Sequence, residues 1–590
     1  MSIEGAVTVL FGNLGEPLSK LCGDLEAADI RIYPRVYGSV VILFTVAATF
    51  VSLLGSVLLM AVGVFSPLVG IGLLLLPVTV LMGGILWPRI KMADRGASLS
   101  SEVPYAAAYT AVMSTGGISP YVSILRLSRA PLLPTFRKMA RLLDVKVRGL
   151  GADPVTALED IGKTLPSAEF KELLLGYAST LRAGGDVVHY LLRRTEVLFR
   201  ERLSGLKTVG ERVGQLMEIY MTFGILLSLG IYSIYAIQLA LGSAFAEMQV
   251  GIFGNVGFFM GFAYFFLPFL SVIFLWLVDI SQPKYPTEEN SVYFLFMGTC
   301  IPVALLVLPG LFLSFPIPEL LGFPLYNAEH ELVVSLTSLL NLERGFEGAL
   351  GLLITLVVVT IPAAAYRLYI SWKEGGMEFG FANFLRDLVE IRKSGLSPEK
   401  CIMSLADRNY GNLSRFIRTV SRQVSWGVSY SRIYQDFSKN VRSWLSKVSM
   451  FLLLDAIEVG GGTPETLETL AQFNESIVSM EKEKNSMLKP LLVIPYIGTA
   501  VLVFTIITLL TFFRSMLGVV SKSIGFADIV TLLLPPLIIH IYAMGIVGGK
   551  ISSGEVSGGF LHSILLLLFT LFMITLVPYF SIGIVPAPVG

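Results

Sequence analysis

Nine runs of mostly apolar residues, each more than twenty residues long, divide this 590-residue chain. A helix of about 20 apolar residues crosses the roughly 30 Å hydrocarbon core of a bilayer. Only 15% of the residues are charged and 54% are hydrophobic, which excludes a soluble globular protein of this length. We predict an all-α polytopic membrane protein with spans at residues 38–63, 66–88, 215–241, 252–278, 291–315, 346–370, 488–513, 526–549 and 559–585.

Two long polar blocks interrupt the apolar runs, and short amphipathic repeats within them predict two related helical bundles. The expected order is a cytoplasmic leader with interfacial helices (1–37), two spans (38–88), the first bundle (89–214), four spans (215–371), the second bundle (372–487) and three spans (488–590).

The basic residues indicate which side of the membrane the blocks occupy. Of 44 Lys and Arg residues, 19 lie within 89–212 and 15 within 372–487. Basic residues near membrane ends tend to stay in the cytoplasm. Four spans separate the two blocks, so both lie on one side. We therefore expect a multi-pass cell-membrane protein with both bundles and the N-terminus in the cytoplasm and the C-terminus outside.

The two blocks share turn and helix-start signals. Gly117-Ile118-Ser119-Pro120 is matched 278 positions later by Gly395-Leu396-Ser397-Pro398. Further matches occur at a shift of 276, pairing Gly151, Asp160, Lys163, Ser167, Gly184, Gly185 and Leu191 with Gly427, Asp436, Lys439, Ser443, Gly460, Gly461 and Leu467. They lie at turns and helix starts, where backbone geometry restricts residue type, and they predict an internal duplication.

Each block contains a glycine pair before its last helix, in Arg182-Ala183-Gly184-Gly185-Asp186 and in Glu458-Val459-Gly460-Gly461-Gly462-Thr463. Glycine ends a helix cheaply in the left-handed conformation, and Asp or Thr then caps the next helix. The helix that follows continues toward the third or the seventh span. The glycines either form tight hairpins only, or begin helices that convey motion into the membrane; the sequence leaves both open.

Motifs for chemistry are missing from both blocks. Gly460-Gly461-Gly462-Thr463 lacks the Lys of a phosphate-binding loop, and no metal-ligand spacing or nucleophile and base pattern occurs. We expect no enzyme activity, cofactor, metal site or nucleic-acid binding. Of the ionisable residues in the apolar runs only His540 lies deep, and a lone buried His is usually a hydrogen-bonded packing residue. A polytopic transporter or channel with large cytoplasmic regulatory domains is the alternative.

The basic surface of the blocks has two explanations. Attraction to the anionic headgroups of the lipid bilayer accounts for cations close to the membrane. That attraction fades within about 10 Å, so cations farther away indicate an acidic protein partner.

The Gly-x-Ser-Pro helix starts and the later Gly-Gly turns, each before a helix that enters the membrane, resemble the type II secretion F domain. The resemblance is strongest from Val103 to Leu191, and the extra spans are similar to archaeal versions. It implies a non-enzymatic inner-membrane platform for an archaeal type IV pilus-like filament, either an adhesive pilus or an archaellum.

The resemblance also implies partners. A hexameric cytoplasmic secretion ATPase would dock on the bundles, the spans would handle pilin or archaellin subunits, and a homo-oligomer is compatible with this role. The residues expected to dock the ATPase are Arg182, Asp186, Arg193, Arg194, Arg415, Arg418 and Glu458. The residues expected to shape the turns are Gly117, Pro120, Gly184, Gly185, Gly395, Pro398, Gly460 and Gly461.

Overall fold

A computed structural model describes residues 12, 25, 28–30, 32–61, 76–128, 132–241, 256–282, 290–306, 324–520 and 525–579. Across these ranges the chain forms helices and contains no β-strand, as predicted. The first eleven α-helices are α1 (Pro34–Ala61), α2 (Leu76–Thr115), α3 (Pro120–Leu127), α4 (Pro134–Asp144), α5 (Pro154–Thr164), α6 (Ala168–Arg182), α7 (Val187–Met221), α8 (Leu227–Leu241), α9 (Val256–Met260), α10 (Leu267–Ser281) and α11 (Ser291–Leu306).

The second half continues with eleven more helices. They are α12 (Pro324–Leu339), α13 (Glu347–Glu374), α14 (Met377–Lys393), α15 (Pro398–Leu405), α16 (Ser414–Ser425), α17 (Tyr430–Asn440), α18 (Trp444–Gly460), α19 (Pro464–Leu488), α20 (Val493–Val520), α21 (Phe526–Ser553) and α22 (Gly559–Thr575).

Seven helical stretches in the described residues are long and apolar enough to cross a membrane. They are Pro34–Leu53, Val187–Ile237, Gly257–Ser281, Glu347–Lys393, Pro464–Arg514, Phe526–Ser553 and Val556–Thr575. Each overlaps a predicted span, so the chain is a multi-pass membrane protein. The other two predicted spans, 66–88 and 291–315, lie partly outside the described residues; α11 covers the start of the latter as a shorter apolar helix.

Ion pairs at helix ends show which ends share a membrane face. Lys550 near the end of α21 donates to Asp279 near the end of α10, with 2.5 Å between nitrogen and oxygen. Arg367 near the end of α13 pairs with Glu555, just after α21, at 3.0 Å. The carboxyl-terminal ends of these three helices therefore lie together on one face.

The opposite ends meet on the other face. Thr531 near the start of α21 donates to the carbonyl of Gly345, just before α13, at 3.3 Å. Arg514, toward the end of α20, pairs with Glu343. Since α13 and α21 run the same way and α20 runs opposite to them, these three spans have the relative directions that their order along the chain predicts.

The first bundle is built from the end of α2, then α3 to α6 and the start of α7. Side chains cap its helices: Ser119, Asp153, Ser167 and Asp186 each accept the backbone N–H three residues later, as the sequence predicts for Ser119 and Asp186. Proline follows the cap of α3 and of α5, at the position where its missing N–H costs no helical hydrogen bond. The turns before α3, α5 and α7 contain glycines with positive φ, namely Gly117, Gly151 and Gly184.

The second bundle repeats this pattern with α14 to α18 and the start of α19. Ser397, Ser443 and Thr463 cap its helices, and Gly395, Gly427 and Gly461 have positive φ in the matching turns. The duplication is visible in the backbone as well as in the residues. One detail differs from the sequence alignment: the left-handed Gly184 matches Gly461 rather than Gly460, which is the last residue of α18.

The two bundles pack against each other around one continuous hydrophobic core. The rings of Tyr105 and Trp444 meet edge to face at 4.8 Å, and Tyr109 stacks on Phe451 at 5.7 Å. The indole N–H of Trp444 also donates to the carbonyl of Leu132 at 3.0 Å. Aromatic pairs across the boundary join the repeats into a single body.

The predicted interfacial helices of the leader lie mostly outside the described residues. Leu25 and Ala28 are buried, and Asp29 lies 3.9 Å from the ammonium of Lys138 on α4. This segment therefore contacts the first bundle before α1 begins at Pro34.

Candidate functional site

Two unusually long helices connect the bundles to the membrane. From Val187 to Ile237 the chain is helical without a break through α7, a π-turn and α8, and from Pro464 to Arg514 through α19, a 3₁₀ turn and α20. Each stretch contains 51 residues, which is roughly 75 Å at 1.5 Å per residue. We call these two stretches the exit helices.

The exit helices run side by side in the same direction and register. The ring of Phe199 stacks on that of Phe473 with 5.9 Å between centroids. Farther along, the ammonium of Lys207 lies 3.9 Å from a carboxylate oxygen of Glu483. These contacts join residues 274 and 276 positions apart, close to the shift that relates the repeats. An axial movement of either bundle therefore acts on both helices in the same sense.

The exit helices lie close together at Gly210. A Cβ atom at this position would lie 3.2 Å from the Cβ of Met487. One turn later, a Cβ at Gly214 would lie 4.0 Å from Leu491. Glycine lets the two backbones approach at the point where the helices reach the membrane.

A polar cluster also joins the two repeats. Asp455, in the interior of α18, accepts hydrogen bonds from the hydroxyl of Tyr109 and from the guanidinium of Arg126, the latter at 3.1 Å. The Asp455 side chain is only 13% exposed. Burial and the Asp455 carboxylate hold the pKa of Tyr109 above its usual range, so the phenol remains a donor. A charged acceptor strengthens such hydrogen bonds.

The turns that begin the exit helices lie far from the membrane. Helix α7 has 35 residues, so its first turn is about 52 Å from Met221. Here Arg182 pairs with Glu159 at 3.0 Å, and Asp186 accepts the N–H of His189 at 3.0 Å as the helix cap. The Asp186 carboxylate thus stabilises the start of the helix.

Two adjacent arginines that were both predicted to dock a partner have different surroundings. Arg194 is 14% exposed and pairs with Glu172 at 2.5 Å and with Glu201 at 3.7 Å. Arg193 is exposed to solvent. Because successive residues on a helix point about 100° apart, only Arg193 is presented to a partner here.

The predicted docking residues of the second bundle are separated in space. Arg418 on α16 and Glu458 near the end of α18 are exposed. Arg415 is also exposed, but it lies over the ring of Phe416 at 4.4 Å and donates to the carbonyl of Lys373 at 3.4 Å, next to the end of α13. Arg415 therefore belongs to the part of the bundle closest to a span.

Two stretches of the chain match a known protein family. The family model of the type II secretion system (T2SS) protein F matches residues 106–234 and 384–511. Both matched stretches are similar to the type II secretion F domain, and on that basis we refer to each of them as an F domain. Each match begins in the helix that enters a bundle and ends within an exit helix, so each F domain comprises a bundle together with its link to the membrane.

A further similarity extends over about two thirds of the chain. The chain is 20% identical over 417 residues to an uncharacterized protein, MJ1286, of Methanocaldococcus jannaschii. The aligned region covers 68% of this chain and 67% of that protein. No solved structure matches the chain.

The deep histidine lies where the exit helix of the first F domain crosses the membrane. His540 is 1% exposed, and its Nε2 donates to the carbonyl of Gly224 at 2.9 Å. Gly224 lies in the π-turn Thr222–Leu226, which interrupts the regular hydrogen-bond ladder. This agrees with the interpretation of His540 as a hydrogen-bonded packing residue.

Among the described residues, no group of three or more His, Cys, Asp or Glu side chains is placed to hold a metal ion.

The sequence did not lead us to expect a tight helix crossing after the second F domain. A Cβ at Gly545 or Gly549 on α21 would lie 2.3 Å or 2.0 Å from the backbone of Ser563 or Gly559 on α22. The Gly-x-x-x-Gly spacing, which brings membrane helices together, was the available signal.

Proposed function

We propose that this protein is the inner-membrane platform of an archaeal type IV pilus-like assembly machine. The observation that supports this most is that two F domains share one core and enter the membrane through parallel, uninterrupted helices. Such a body can transmit force because packed interiors resist compression. The organism of the MJ1286 relative favours an archaeal source.

In this proposal both F domains face the cytoplasm. Their high content of Lys and Arg favours that side. The leader then lies in the cytoplasm with them, and the last span ends outside. The membrane helices gather pilin or archaellin subunits and raise them into the base of an adhesive pilus or an archaellum.

A hexameric cytoplasmic secretion ATPase docks on the solvent-exposed surface of the two bundles. Arg182, Asp186, Arg193, Arg418 and Glu458 are the residues proposed for this surface. The first three lie at or near the start of α7, tens of ångströms from the lipid, where headgroup attraction is screened. Arg194 supports the surface through its ion pairs, and Arg415 lies outside it.

The ATPase contact is tested by reversing one charge. In Arg193→Glu an exposed cation becomes an anion without loss of a described ion pair, so the protein should fold and reach the membrane but no longer co-purify with the ATPase. Lys482→Glu is the matched control, because Lys482 is exposed on the exit helix of the second F domain but near its membrane end. It should retain the ATPase.

Arg194→Glu should instead reduce the amount of folded protein, because it places a third carboxylate beside Glu172 and Glu201. If Arg193→Glu still co-purified with the ATPase and still assembled filaments at the wild-type level, Arg193 would not belong to the interface.

A further inference from the structure

A solvent-filled groove opens between α16 and α17 of the second F domain. Its volume is about 330 Å³. The rings of Phe416 and Phe437 form its floor and meet edge to face at 5.6 Å. Lys373 and Arg415 line the rim with positive charge.

The groove lies at the level of the lipid headgroups. Arg367, which pairs with Glu555 at the face where the spans end, is six residues before Lys373 on α13. That is an axial distance of about 9 Å, so the Lys373 backbone lies just beyond a headgroup layer of roughly 5–7 Å. The Lys373 ammonium lies 5.8 Å from the Tyr369 ring, one turn nearer the span, so the side chain points back toward the membrane.

Exposed aromatic residues support this placement. Trp372 is 80% exposed, and Tyr369 is also exposed, although both lie in the helix that leaves the span. Tyr and Trp are enriched at the membrane interface, where an apolar ring with a polar edge is most stable.

The groove also contains one carboxylate, that of Asp436, and neighbouring side-chain amides donate hydrogen bonds to it. Asp436 accepts from the Gln423 amide at 2.8 Å and from the Asn440 amide at 3.4 Å. These amides neutralise part of the repulsion that Asp436 would exert on an anion. The two cations lie on the opposite side of the groove, on α13 and at the start of α16.

We propose that this groove binds the phosphate of an anionic membrane lipid. Lys373 and Arg415 hold the phosphate, and the Phe416 ring supports the guanidinium from below. An acyl chain then extends along α13 toward Tyr369. Such a lipid fixes the second F domain at a set distance from the membrane, and its binding requires neither an ATPase nor a filament.

The first F domain secures its corresponding helix differently. Its α4, the counterpart of α16, offers Lys138 to Asp29 of the leader at 3.9 Å. A carboxylate from the chain itself is therefore placed beside a cation on this helix. In the second F domain a lipid phosphate supplies the negative charge.

The experiment titrates the detergent-solubilised full chain with phosphatidylglycerol, phosphatidylcholine or inorganic phosphate and follows its thermal midpoint. We expect saturable stabilisation by phosphatidylglycerol and none by the other two. The Lys373→Gln and Arg415→Gln double variant should bind phosphatidylglycerol at least about tenfold more weakly, since each cation near a lipid surface contributes measurably to binding.

The matched control is Lys400→Gln with Lys482→Gln, which removes the same charge from exposed positions outside the groove. It should keep the wild-type affinity, and so should Lys373→Arg. Equal affinity of the double variant and the wild type, or equal response to the two lipids, would overturn the proposal. Stabilisation by inorganic phosphate to the same extent as by phosphatidylglycerol would assign the groove to a free anion instead.

Discussion

The contact between Gly210 and Met487 allows the exit helices to be locked together. We propose the double variant Gly210→Cys and Met487→Cys, in a protein whose three native cysteines are replaced by Ala. The 3.2 Å between the Cβ positions is close to the roughly 3.5–4.5 Å that a disulfide requires. A small adjustment would therefore allow the bond to form, and both positions are partly accessible to an oxidant.

The disulfide distinguishes two ways of transmitting motion. If one exit helix slid past the other by a turn, about 5.4 Å, the Cβ separation would grow to roughly 6 Å, which a disulfide does not permit. Because the two F domains share one core, we expect the helices to move as a pair. Oxidised cells should then assemble filaments at the wild-type level, counted by electron microscopy.

The control pairs Met487→Cys with Gly205→Cys, since a side chain at Gly205 would face open space and should not cross-link. Failure of the first pair to cross-link would contradict the register of the exit helices. Filaments that disappear on oxidation and return on reduction would show that the helices slide, and would refute transmission by a rigid pair.

Three further predictions concern stability. Gly549→Leu should lower the free energy of unfolding by at least about 2 kcal/mol in thermal scans, because its Cβ meets backbone, whereas Gly230→Leu in open space should not. Tyr109→Phe should lower the free energy of unfolding by about 1.5–3 kcal/mol. In a double-mutant cycle, the same substitution should cost less once Asp455→Asn is present. Burial raises the pKa of Glu102, so folding favours its protonated form and its contribution to stability falls as pH rises above about 4.5. The free energy of unfolding of Glu102→Gln relative to that of the wild type should therefore increase as the pH rises above about 4.5. A difference that does not change with pH would contradict the raised pKa of Glu102.

The caps and turns could be predicted from the sequence because they depend on neighbouring residues only. A Ser before Pro120 or Pro398 caps a helix wherever the helix lies in the protein, and Gly117 and Gly395 adopt positive φ for a local reason. The spans follow from apolar length in the same way. Caps and turns are decided within a few residues, and a span by one continuous apolar run.

The packing of the repeats could not be predicted in this way. Asp455 follows the apolar run of α18 and looked unremarkable, because its partners Tyr109 and Arg126 are more than 300 residues away. The sequence could not distinguish the roles of the adjacent Arg193 and Arg194 either. Only the fold shows that Arg194 pairs with Glu172 while Arg193 is exposed to solvent. Long-range partners decide which polar residues are structural.

The two exit helices are related by duplication but enter the membrane through different joints. In the first, the π-turn at Thr222–Leu226 widens the helix, and His540 satisfies the carbonyl of Gly224. In the second, Pro490 has no N–H to donate and the chain tightens into a 3₁₀ turn at Lys489–Leu492. A widened turn and a tightened turn differ in rise and in hydrogen bonding, so the same movement of the shared core reaches the two spans unequally. In the platform proposed above, this difference would let one group of membrane helices tilt against the other while the bundles themselves move as one body.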